Sequence, residues 1–175
     1  MMSENPLVSI LVLNYNGKRF LKDCFESVLK STYDNFEVIL VDNHSTDDSR
    51  EYTKANFPEV IIFDTQSNAG YSRAYNLSFE VAKGKYVILL NNDVSVEPDW
   101  LEPLVDAAEK DNSIGALQPK IVSMVDPSNF EYAGASGGFM DKFGFPFLRG
   151  RVFDHMEMDE GQYNDIVEIF WASGA

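Results

Sequence analysis

The chain has 175 residues, enough for one compact unit with a real core on the prior of about 150 residues per domain. Its 28 acidic against 14 basic residues give a formal charge of −14, which opposes nucleic acid phosphates and anionic lipid headgroups over most of the surface. A single cysteine, Cys24, excludes an internal disulfide and fits a reducing compartment, while no apolar run reaches the ~18 residues a membrane span needs. The N-terminus has no basic stretch followed by an apolar one, so the expectation is a cytoplasmic protein with no transmembrane segment and no nucleic acid partner.

Val8 to Leu13 is a short apolar run that meets the turn formers Asn14-Tyr15-Asn16-Gly17, which predicts a first strand and its loop. From Arg19 onward Phe20, Leu21, Cys24, Phe25, Val28 and Leu29 recur at helical spacing and predict an amphipathic helix with Cys24 as a buried hydrophobe. Phe36 to Val41 predicts a second strand, after which Ser45, Thr46 or Asp47 is placed to cap a helix running towards Asn56. Val60 to Phe63 predicts a third strand. Beyond it Ala74, Leu77 and Val81 share a helix face, and Gly84 is expected to close that helix.

Tyr86 to Leu90 is uninterrupted apolar sequence, the pattern of a strand covered on both faces and central in a parallel sheet, and it stops at Asn91-Asn92-Asp93. Pro98 suits the first turn of a helix whose Leu101, Leu104, Val105 and Ala108 face inward, and Ile114 to Leu117 predicts a fifth strand. After Pro119 the pattern loosens. Tyr132 to Phe153 is rich in glycine and aromatics, which predicts long loops and short strands; Met156 to Asp165 is acidic and expected on solvent, and Ile166 to Trp171 predicts a further strand.

Strand and helix alternate, which predicts right-handed βαβ units: an α/β fold with a Rossmann-like, mostly parallel sheet and helices on both faces. Ligands in such sheets bind outside the carboxyl ends of the strands, where the winding reverses. If the first and fourth strands are neighbours there, the Asn14–Gly17 and Asn91–Asp93 loops face one crevice, with Asp42 beside them. Dinucleotide and P-loop glycine patterns, a Gly-x-Ser-x-Gly elbow and zinc-ligand spacing around His44 and His155 are all absent from the sequence.

Four stretches in order and spacing carry a resemblance: Val-Ser-Ile-Leu-Val-Leu-Asn-Tyr-Asn-Gly (8–17), Val-Asp-Asn-His-Ser-Thr-Asp (41–47), Asn-Ala-Gly-Tyr-Ser-Arg-Ala-Tyr-Asn (68–76) and Leu-Asn-Asn-Asp (90–93). Together they resemble family 2 glycosyltransferases over about 6–117, with Trp-Ala-Ser-Gly-Ala at the end as a weaker match and rhamnosyltransferase-like members as the nearest look. The resemblance implies a GT-A fold and inverting transfer of sugar from a dTDP, UDP or GDP sugar to a saccharide or lipid-linked acceptor. A setting in cell-surface polysaccharide synthesis, peripheral at the inner membrane face in a longer protein, is also implied.

Carried over by position, Tyr15 would lie on the base, Asp42 would accept a hydrogen bond from it, and Arg73 would reach the base or phosphates. Asn14, Asn16 and Asn92 would line the nucleotide site, and Asn68 and Gly70 would open a helix whose amino end faces the donor. Asp93 would hold Mg2+ or Mn2+, since a carboxylate beside a diphosphate needs a cation between them. The family often has two acidic residues where this chain has Asn92 and Asp93; an amide can still offer its carbonyl but brings no charge.

The resemblance places the catalytic base beyond Ala175, so the expected organisation is one GT-A domain: a donor-binding half at 6–117 and the start of an acceptor-side half at 118–175. A sugar nucleotidyltransferase and a non-catalytic nucleotide-sugar binding module are the competing expectations. The first would want a glycine-rich, arginine-containing loop after the first strand, which Asn14 to Arg19 does not resemble, and only the missing base favours the second.

Overall fold

The structure, a computed structural model, describes residues 5–131 and 135–173. The chain divides into two compact units, Met1–Val105 and Asp106–Ala175.

In the first unit β1 (Val8–Asn14), β2 (Phe36–Asp42), β3 (Ile61–Asp64) and β4 (Tyr86–Asn91) form one parallel sheet in the order β3-β2-β1-β4. From β1 the chain winds to β2 and β3 on one side, then crosses back to place β4 on the other. The reversal expected between the first and fourth strands is therefore present. Side-chain alternation divides the core in two. Val8, Ile10, Val12, Val38, Leu40 and Leu90 point to one face, against Leu21, Cys24, Phe25 and Val28 of α1 (Lys18–Val28) and Leu101 and Val105 of α4 (Leu101–Lys110). Leu11, Ile39 and Val41 point to the other, against Ala74 and Tyr75 of α3 (Tyr71–Ser78).

Several local expectations need correction. β1, with both faces buried, is the central strand; β4 is the edge of this sheet, and its Val87 and Leu89 are 38% and 37% exposed. A short apolar run does not distinguish the two positions, because both demand β-forming residues. The helix α2 (Ser49–Asn56) has Asp48 at its N-cap with no side-chain cap bond, while Asp47 accepts from the Ser49 N–H (3.1 Å) and hydroxyl. Pro98 precedes α4 and accepts from the Thr32 N–H (2.8 Å), so it anchors the helix entry instead of opening its first turn.

Gly84 does not close α3, which ends at Ser78; it lies against β1, where a Cβ would come within 2.5 Å of the Ser9 backbone nitrogen. Its N–H donates to the Ser9 hydroxyl (2.8 Å), which in turn donates to Glu37 (2.6 Å). The glycine is required by close approach, not by a helix end.

The second unit is built, as its composition suggests, from short strands and loops. β5 (Gly138–Met140), β6 (Pro146–Leu148), β7 (Arg151–Val152) and β8 (His155–Met156) form an antiparallel sheet. Neither Ile114–Leu117 nor Ile166–Trp171 is a strand; Trp171 makes a single bridge to Gly138, whose absent Cβ leaves room for the indole ring. Arg149 knits this unit together by stacking over Tyr163 (4.8 Å) and pairing with Asp165 (2.9 Å). The acidic stretch is mostly exposed, as its composition suggests, and within it Asp159 pairs with Lys120 at 2.5 Å while Glu157 accepts from the Tyr163 hydroxyl at 2.7 Å. Tyr132, Ala133, Gly134, Gly174 and Ala175 lie outside the described residues.

Candidate active site

Register brings the strand ends together: Leu13 stands opposite Asn91, and Asn14 opposite Asp42. Asp42 is completely buried. Its Oδ1 accepts from the Ser45 N–H at 2.8 Å and lies 3.8 Å from Arg50 Nε, and its Oδ2 accepts from Asn14 Nδ2 at 3.1 Å. Asp42 is expected at the base of a nucleotide; its side chain lies beneath the loops, with each oxygen accepting from a protein donor. The physical reason is position: Asp42 is the last residue of β2, still inside the sheet, and its neighbour Asn43 is the one that reaches the crevice.

Asn16 is also a scaffold. Its left-handed backbone (φ 52°) aims Oδ1 at the N–H groups of Thr46 (2.7 Å) and Asp47 (3.2 Å), tying the first loop to the second. His44 (φ 64°) and Gln66 (φ 64°) adopt the same region in the loops after β2 and β3, a sparsely populated conformation held by the bonds around it. Asn68 accepts from Asn43 Nδ2 (3.1 Å) and from the Gly70 N–H (3.0 Å), and Asn43 Oδ1 accepts from the Ala69 N–H (2.8 Å). Gly70, at φ 75° and ψ −179°, turns the chain into α3 through a conformation open essentially to glycine alone.

What faces solvent above this framework is a cleft of about 370 Å³ lined by Leu13, Tyr15, Asn43, Tyr71, Asn91, Asn92 and Asp93. Tyr15 is 51% and Tyr71 46% exposed, so two aromatic rings border a pocket that also carries an exposed carboxylate. Of the residues expected at the site, Tyr15, Asn92 and Asp93 line it, Asn14, Asn16, Asp42, Asn68 and Gly70 shape it from below or beside, and Arg73 is exposed on α3, two positions after the lining residue Tyr71. Asn91 lines it too, in the loop expected to face the crevice, whereas Tyr71 and Asn43 were not singled out from sequence. The signal for Asn43 was available in its place one residue past the end of β2; that for Tyr71 was its place directly after Gly70, in the first turn of α3.

Two buried groups support the end of β4. The Tyr75 hydroxyl donates to the Leu90 carbonyl at 2.9 Å, and its pKa is pushed up chiefly by burial. The Cys24 thiol points at the Asn91 carbonyl (3.9 Å); burial, with a smaller contribution from the Asp93 charge, pushes its pKa up to about 12. Cys24 is the buried hydrophobe expected. A larger depression of about 700 Å³ is lined by Asn16, Lys18, Arg19, Lys22, Asp47 and Tyr52, but Lys18 is already paired with Asp48 at 2.5 Å.

Among the described residues no group of three or more His, Cys, Asp or Glu side chains could hold a metal without help. Asp93 with one or two neighbouring amide carbonyls is a donor set that suits Mg2+ or Mn2+ only when ligand phosphates complete the shell, which is how such hard cations are commonly held beside nucleotides. No described helix is long and apolar enough to cross a membrane.

Comparison with known proteins agrees with this geometry. The model of the family described as glycosyl transferase family 2 matches residues 9–168. Glycosyltransferase GlyG of Streptococcus pneumoniae is 37% identical over 141 residues, covering 79% of this chain and 43% of that protein. Chondroitin synthase of Escherichia coli is 36% identical over 115 residues, covering 64% of this chain and 17% of the relative. The chain thus spans less than half of the relatives it matches. Among solved structures, residues 1–349 of Staphylococcus aureus TarS superpose with a TM-score of 0.62 at 17% identity, covering 77% of this chain and 41% of that one. A Pyrobaculum calidifontis mannosyltransferase in complex with GDP-Man and Mn2+ gives a TM-score of 0.59 at 20% identity, covering 71% and 38%. With a parallel sheet, helices on both its faces and a polar crevice at its strand ends, the chain belongs to glycosyl transferase family 2 and has the GT-A fold.

Proposed function

We propose that the crevice binds a nucleotide-diphosphate sugar and that the chain serves inverting transfer of that sugar to an acceptor hydroxyl, in cell-surface polysaccharide synthesis. One observation carries the reading: a cleft at the reversal of the sheet holds exposed aromatic rings, Tyr15 and Tyr71, together with the exposed carboxylate of Asp93. Solved structures of TarS with UDP and with UDP-GlcNAc, and of the mannosyltransferase with GDP-Man and Mn2+, support it by analogy of fold.

In this reading Tyr15 stacks on the base, because a ring half open to solvent at a strand end offers its face at little cost in ordering. Asn43, with its amide held by Asn68 and Ala69, contributes the polar edge beside the base. Asp93 holds Mg2+ or Mn2+, with Asn91 or Asn92 able to add a carbonyl oxygen. The cation, when bound, would neutralise the diphosphate as it departs. Arg73 and the amino end of α3, near Asn68 and Gly70, are assigned to the phosphates. Asn14, Asn16 and Asp42 keep the loops in place.

Saturation-transfer NMR with UDP, GDP and dTDP sugars tests the assignment. One nucleotide should show strong transfer to base and ribose protons in the wild type, and Tyr15→Ala should abolish the base signals. No transfer from any of the three would contradict it.

A further inference from the structure

We propose that the buried Asp42 and Asn14 and the half-buried Asn92 form a relay that fixes which way the Asn92 amide points, and so positions the turn carrying Asp93; Asn14 and Asn92 are positioning residues. The inference rests on the nucleotide-binding reading above for its functional half and on hydrogen-bond chemistry alone for its structural half. It starts from Asp42, whose two oxygens both accept, one from the Ser45 N–H and the other from Asn14. A group accepting there must be met by the Asn14 nitrogen, not its oxygen. The same Nδ2 also donates to the Ser45 hydroxyl at 3.0 Å, and that hydroxyl oxygen accepts from the Asn16 N–H at 3.0 Å as well. Both hydrogens of the Asn14 amide are therefore committed, and a flip would set its oxygen against the carboxylate.

The Asn14 oxygen is left facing away from Asp42, and Asn92 comes to it at 2.6 Å. Only a donor is tolerated at that distance, so the Asn92 nitrogen faces Asn14. The relay closes on Gly17: a Cβ there would meet Asn92 Nδ2 at 2.1 Å and Asn14 Oδ1 at 2.7 Å. Gly17 has an ordinary backbone (φ −112°), so space and not conformation excludes a side chain. The result bears on the departure noted in the sequence. A second carboxylate at position 92 would add charge beside a cation, yet here it would present an acceptor to the fixed Asn14 oxygen at the distance of a hydrogen bond. An amide at 92 follows from the amide at 14.

The test is a double-mutant cycle on the full chain, with two readouts. Asn92→Asp should lower the melting temperature by roughly 3–8 °C, and should weaken Mn2+-supported UDP or GDP affinity about tenfold despite the added carboxylate. Asn14→Thr offers a hydroxyl that can donate towards position 92, so the Asn14→Thr/Asn92→Asp pair should melt higher, and bind more tightly, than the product of the single effects requires. Gly17→Ala should reproduce the loss of affinity without altering any polar group. Asn92→Asp as stable as the wild type, or a strictly additive pair, would overturn the relay. A fall in melting temperature with unchanged Mn2+-supported affinity would overturn the positioning role. Should the wild type bind no nucleotide at all, the proposed function fails, while the melting cycle still judges the relay.

Discussion

Replacing Asp42 with alanine separates a framework role from a ligand contact. The side chain has no exposed surface, so its removal is felt first by the protein. The Ser45 N–H at 2.8 Å and one Asn14 amide hydrogen at 3.1 Å lose their acceptor, and Arg50 Nε, which makes no hydrogen bond, loses the charge 3.8 Å away. Stranding a buried donor costs about 1–3 kcal/mol, so the combined loss is about 3–5 kcal/mol. That is a large share of the roughly 5–15 kcal/mol by which domains are stable. The melting temperature followed by circular dichroism should therefore fall by more than about 10 °C. Asp42→Asn retains one acceptor oxygen and should fall about half as far. An Asp42→Ala protein that melts within about 2 °C of the wild type, but binds nucleotide about tenfold more weakly, would refute this reasoning and return Asp42 to direct contact with the base.

Tyr15→Ala should leave the melting temperature unchanged, because the ring is 51% exposed, yet weaken nucleotide binding by the roughly 1–3 kcal/mol that a base–aromatic stack contributes, as read by calorimetry. Gly84→Ala places a Cβ 2.5 Å from the Ser9 backbone and should destabilise by about 1–3 kcal/mol in denaturant titration, since backbone on both sides leaves little room to relax. Cys24 has its pKa raised from 9.0 to about 12, so the unfolded chain releases the thiol proton first and stability is lost as pH rises from about 9 towards 12. Cys24→Ala should flatten that part of the melting-temperature profile, and the native thiol should resist iodoacetamide at pH 8 until the protein unfolds.

The strands of the first unit, the α1 stripe and the reversal between β1 and β4 were legible because period and turn chemistry agree there: Asn14-Tyr15-Asn16-Gly17 ends an apolar run as Asp42-Asn43-His44 ends another. The position of β4 at the sheet edge was not, since its residues read the same whether one side or both carry a partner. Gly84 was misread because a glycine near a helix end and a glycine beneath a strand look alike until Ser9 is seen against it. At the site, Tyr15 and Asp93 reach the cleft as residues just beyond strand ends do, whereas Asp42, one position earlier in its strand, is turned into the sheet. Tyr71 escaped notice because its exposure is set by Gly70 and the loop from β3, a tertiary matter. In the second unit, Trp171 and Gly138 pair although 33 positions apart in the chain, and no local pattern announces such a contact.

The central claim, that Asp93 holds a cation for a nucleotide diphosphate in this crevice, is tested most directly by titrating UDP and GDP into the wild type and Asp93→Ala by calorimetry, with and without Mn2+. Wild-type affinity for one of the two should rise about tenfold or more on adding Mn2+, and Asp93→Ala should bind equally weakly in both conditions with an unchanged melting temperature. An Asp93→Ala protein that keeps the full Mn2+ enhancement would contradict the account.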